Sequence, residues 1–158
     1  PSPLLRILCV GITVIAANVA TAAPKASAPV PDLTKGDARP AEAKHDWNLG
    51  PTGLRGWMHC DKMATTDARQ VLVTKVDKGS PAADTIQVGD VLLGVGGVPF
   101  ASDPRTELGK AISAAEAGGG KLALTRWRAG KTEEVAVALP VLGKYGQTAP
   151  FACPKSQK

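Results

Sequence analysis

Histidine is nearly absent from this chain of 158 residues: only His45 and His59 occur. A Ser, Cys or Thr nucleophile needs a nearby base, so candidates for such catalysis are few. No serine sits in a G-x-S-x-G elbow. A phosphate-binding loop is also missing. At Gly120-Lys121 the pattern would need Gly at Ala115 and Ser or Thr at Leu122. That segment also leaves a helix, whereas a phosphate loop enters one. The "GVGG" at 94–97 lacks a third spaced glycine. His59-Cys60-Asp61 are consecutive, and neighbours on a strand point to opposite faces, which suits no single metal ion. Glu133-Glu134 reads as the solvated start of a strand. The 19 basic and 14 acidic residues leave a net charge of +5, and the basic ones are scattered. Without a dense Lys/Arg run there is no footprint for nucleic acid. No catalytic residue, metal or cofactor is expected in this segment, and there is no internal repeat.

A long apolar run is missing too. The one at 7–20 is too short to span a bilayer comfortably. It follows Arg6 and ends in Ala20-Thr21-Ala22, an A-x-A cleavage pattern, so 1–22 reads as a secretory signal peptide. The other reading is an N-terminal membrane anchor. Leu8 before Cys9 is too large for a lipoprotein signal. Export to the periplasm or the medium, with no membrane attachment after cleavage, is the expectation. Cys60 and Cys153 then remain, and an oxidising compartment permits a disulfide between them worth about 2–4 kcal/mol. Two separate thiols are the equal alternative. Residues 23–46 are rich in Ala, Pro, Lys and Asp without apolar period and read as a flexible linker.

What is present is punctuation: 17 glycines and 13 prolines, which favour short strands and turns. "RQVLVTKV" at 69–76 is apolar on both faces, as in a mid-sheet strand. Ser80 caps and Pro81 opens one helical turn over 81–84. A second strand covers 90–95, and Gly96-Gly97 turns the chain. Asp103 caps and Pro104 opens a longer helix with Leu108, Ile112 and Ala115 on one stripe, ended by glycines from Gly118. Residues 121–139 read as a hairpin turning at Ala129-Gly130. Leu122 and Leu124 share one strand face, and Trp127, on the other, reads as a surface aromatic. The fold class is α+β: a small, partly open β-barrel of five to six strands with two helices, over 47–141. Residues 142–158 read as a tail or the start of a connection.

"KGSPA" at 78–82 followed by "IQVGDVLLGVGG" at 86–97 resembles the PDZ pattern, at Gly79, Ser80, Pro81, Ala82, Ile86, Gly89, Asp90, Val91, Leu93 and Gly97. The element order that follows agrees. "GPTGLRGWMHCDK", "ARQVLVTKVDKGSPA" and "LTRWRAGKTEEV" look like a bacterial exported family in which this domain precedes a larger helical one. The resemblance implies a protein- or peptide-binding module that adds an extended segment, often a C-terminus, as an extra strand. The implied contacts are Leu54, Arg55, Gly56, Trp57 and Met58 on the loop and second strand, with Leu108 and Ile112 as the facing wall. In the family pattern x-Φ-G-Φ, Gly56 and Trp57 fit. Arg55 replaces an apolar residue, which either weakens carboxylate capture or lets Arg55 pair with the carboxylate. The alternative function is a structural or regulatory domain docked on a downstream, enzymatic or helical domain with its groove blocked. If 1–22 is a signal peptide, mass spectrometry of protein from export-competent cells finds a chain beginning at Ala23. An intact N-terminus in the membrane fraction supports the anchor instead.

Overall fold

The computed structural model describes residues 29–144. The expected signal-peptide span 1–22, the start of the 23–46 stretch and Cys153, with the question of its pairing to Cys60, lie outside them. Two apolar periods organise the described residues. Strands β1 (Trp47–Asn48), β2 (Leu54–Trp57), β3 (Val71–Val76), β4 (Val91–Val95), β5 (Val98–Pro99), β6 (Lys121–Arg128) and β7 (Lys131–Ala138) form one antiparallel sheet. Its order is β1-β2-β3-β4-β6-β7, with β5 folded back on β4, and it does not close. Helix α1 (Pro104–Ala117) is the single α-helix among the described residues.

The sheet is an open relative of the expected barrel. Its strand count exceeds five to six because β1 and β5 are only two residues long. The expected second helix is instead a set of turns. Ala83 N–H donates to Ser80 O and Ile86 N–H to Ala82 O, but Ala82 N–H leaves the segment for Thr52 O at 3.2 Å. Asp84 and Thr85 are also poor helix formers. In contrast, α1 starts and stops as its residues dictate. Asp103 accepts from Arg105 N–H at 2.9 Å, Pro104 needs no donor partner, and Gly118 follows the last turn. Leu108, Ile112 and Ala115 face one core with Leu54, Met58, Val71, Val73, Leu92, Leu122 and Leu124. Each fully buried Leu or Ile there contributes roughly 1.5–3 kcal/mol.

The alternate residues of the same strands need cover on the other face. Trp57, Leu72, Val91, Leu93 and Trp127 cluster there with Leu33. Trp127, read as a surface aromatic, is therefore half-buried. The cover comes from the stretch read as a flexible linker. A 3-10 helix at Leu33–Lys35 is capped by Asp32, whose Oδ1 accepts from Thr34 N–H and from Gln70 Nε2 at 2.9 Å. Leu33 N–H in turn donates to Gln70 Oε1 at 2.7 Å. One apolar residue in a polar stretch leaves no period to read, yet it suffices to strap the segment onto the sheet. Leu33→Ala is expected to lower unfolding free energy by about 2 kcal/mol in urea titrations. A free linker would give no change.

Candidate functional site

The β2 edge is where an added strand was expected, with residues 53–58 as a loop before it. In the structure Leu54–Trp57 is itself the strand. The turn lies earlier, in a 3-10 helix at Gly50–Thr52 followed by Gly53 in the left-handed region. Residues 57–61, expected to be strand, leave the sheet after Trp57, and Asp61 bridges only to Ala64. The free edge is not free: β1 pairs along it, Trp47 opposite Gly56 and Asn48 opposite Arg55. Leu49 N–H extends the pairing to Leu54 O at 2.9 Å. An open groove beside β2 is thus corrected to one filled by the chain's own residues.

The filling segment alternates as a strand must. Trp47 and Leu49 turn inward and pack with the main core. The Trp47 ring lies 5.6 Å from the Arg105 guanidinium near the start of α1, and it meets the His45 ring edge-on at 4.6 Å. Arg105 is itself held by Asp103 at 3.0 Å. Leu49 covers Gly56, where an added Cβ would sit 3.3 Å from Leu49 Cδ1 and 2.4 Å from Val71 Cγ1. Asp46 points to the other face. Its Oδ1 accepts from Arg55 Nε at 2.8 Å and Nη2 at 2.6 Å, and its Oδ2 from Thr74 Oγ1 at 2.8 Å. Arg55 hydrogen bonding holds the Asp46 carboxyl below the ordinary range, against a weaker opposite push from burial, and Thr74 adds to the lowering.

The turn has few donors left for a carboxylate. Gly50 N–H donates to Asn48 Oδ1, Gly53 N–H to Gly50 O, and Leu54 N–H to Thr52 Oγ1. Pro51 has none. Ile112 Cδ1 lies 3.6 Å from where a Gly50 Cβ would stand, so α1 sits directly on this turn.

The residues singled out from sequence do meet around one edge, but as its interior. Leu54, Met58, Leu108 and Ile112 are buried together in the main core, Trp57 is buried on the opposite face with Leu33, Gly56 is close-packed, and Arg55 is engaged by Asp46. Cys60 is half-buried just beyond β2. Among the described residues no group of three His, Cys, Asp or Glu is placed to hold a metal. Sequence reasoning missed Asp46, Trp47, Leu49 and Arg105. The only signal was the alternation in "DWNL", four residues long and joined to a polar stretch.

A lowered carboxyl pKa stabilises the fold above the unfolded value and loses that effect as pH falls through the folded value. Asp46→Asn should therefore cost about 1 kcal/mol at pH 7, a figure already discounted for the partial exposure of Arg55. In urea titrations the gap from the parent should narrow below about pH 4 and vanish at lower pH. A pH-independent gap would show that the Asp46 charge does not matter. A family model described as PDZ domain matches residues 48–139. No curated protein matches the chain.

Proposed function

The chain belongs to the PDZ family, and from that premise we propose that it takes an extended segment of a partner protein as an added strand along β2, in place of its own β1. PDZ domains are protein–protein interaction modules, generally without catalysis of their own. The supporting observation is that the β2 edge already carries an extended segment, paired antiparallel with side chains alternating between core and outer face. Strand addition needs an open sheet edge, so a partner strand enters here only as β1 leaves. The leader-like sequence at 1–22 supports a site of action outside the cytoplasm, in the periplasm or medium.

A second reading, docking on a larger domain that follows, is favoured by the chain's exit. Leu142 and Gly143 N–H groups donate to Glu116 O at 2.8 and 3.0 Å, which fixes the departing chain against the end of α1.

The test is selection of a displayed library holding both free C-termini and internal loops against the full chain. NMR shifts of the selected peptides should centre on 54–57 and on the Leu49 amide. Absence of enrichment, or shifts confined to another face, would overturn strand addition at β2.

A further inference from the structure

Resting on that strand-addition reading, we propose that the β2 edge selects an internal segment of pattern acidic–aromatic–any–aliphatic, not a chain terminus. The chemistry is read from the positions that the resident segment fills. Arg55 and Thr74 project from adjacent strands to the same carboxylate, so the first position calls for Asp or Glu. The next side chain turns inward under Arg105, which Asp103 holds over the ring, and a cation over an aromatic face favours Trp, Tyr or Phe. The third points outward; Asn48 there is exposed and bonds only locally to Gly50. The fourth drops onto Gly56, whose missing side chain leaves room for an aliphatic group against Val71.

What comes after the fourth position separates an internal segment from a terminus. A bound C-terminus needs free N–H groups for its carboxylate. Here the N–H groups of Gly53 and Leu54 are spent within the turn; Gly50 N–H, now on Asn48 Oδ1, is released with β1 but is followed by Pro51, which supplies none, so no run of successive donors forms. No cation takes their place, because Arg55 is directed to the first position, on the outer face.

The test uses the full chain carrying Asp46→Ala and Trp47→Ala, which loosens the resident strand without touching the reading residues. Its probe is a fluorescent peptide of residues 44–52, blocked at both ends and followed by polarisation. Saturable binding is expected. Replacing Trp47 with Ala in the peptide should weaken it about tenfold or more, and replacing Asp46 with Ala about threefold, in keeping with the partial exposure of the Asp46–Arg55 pair. The parent chain should bind the same peptide at least about tenfold more weakly, since its tethered strand competes at an effective concentration on the order of millimolar. Adding Arg55→Ala to the protein should abolish the preference for Asp over Ala in the peptide while leaving the preference for Trp.

A peptide ending at Leu49 with a free carboxylate should gain nothing. If it binds about tenfold more tightly, or if peptides lacking Asp and Trp bind as well as the parent peptide, the pattern is overturned while strand addition stands. No binding by any of these peptides, beside positive library selection at 54–57, overturns the pattern alone; with a negative selection both fail. If circular dichroism shows the double variant unfolded, Trp47→Ala alone carries the same panel with the same outcomes.

Discussion

A strand edge facing the inside of a domain must pair its N–H and C=O groups, and in this chain β2 meets that demand with its own hairpin. β3 takes one side of β2, and β1 with Leu49 takes the other. The turn between them is closed internally. Thr52, buried, donates its hydroxyl to Leu49 O at 3.0 Å and accepts from Leu54 N–H at 3.2 Å. The rest of the edge follows. Gly56 leaves the space that Val71 Cγ1 and Leu49 Cδ1 use, since a Cβ there would stand 2.4 and 3.3 Å from them, while Ile112 of α1 packs beside Gly50 at ordinary contact distance.

The Gly-Ser-Pro-Ala stretch braces that turn. Asp77 N–H donates to Gly53 O at 2.9 Å and Ala82 N–H to Thr52 O at 3.2 Å. Ser80 is so close that a Cβ on Gly53 would fall 2.0 Å from its own. The far end of the same segment is tied to the β6–β7 hairpin. Burial pushes the Asp90 carboxyl up, but Arg128, with Nε and Nη2 at 2.6 and 2.7 Å, and Gln87 N–H outweigh it and hold the group ionised. Arg126 reaches Thr85 O from the same hairpin and pairs with Glu133. Breaking a pair as buried as Asp90 leaves an uncompensated charge, which costs far more than its net worth when intact. The segment thus acts as a strut between the two ends of the sheet, and its residues are frame, not contacts.

Legibility in the sequence followed element length. β3, β4, α1 and the β6–β7 hairpin each carry a full period or a strong cap, and each lies within a residue or two of its expected place. β1 was illegible because two residues show no period, and its absence moved the expected strand from 54–57 to 57–61. The strap was illegible for a related reason: Leu33 is a single apolar residue packed on side chains far along the chain, and its backbone N–H is held by the Gln70 side chain, 37 residues away. For the candidate site, sequence located the right edge through Gly56 and the α1 stripe. It could not tell lining from filling, because a buried Leu has the same composition in a groove wall and in a core.

Strand addition at β2, as proposed, would set two strands of similar chemistry in competition, one of them tethered. The Asp46–Arg55 pair is partly exposed and contributes little to the resident strand, on the order of 0–1 kcal/mol, so it sets register more than strength. Trp47 and Leu49 carry the larger apolar contribution to that strand's hold. A tether at millimolar effective concentration also keeps out any free segment of merely equal intrinsic affinity. A partner that prevailed under the proposal would either surpass Trp47 and Leu49 in apolar contact or be held beside the edge by a second attachment. Either route would make the closed hairpin a threshold on binding, set by the same two side chains that complete the core.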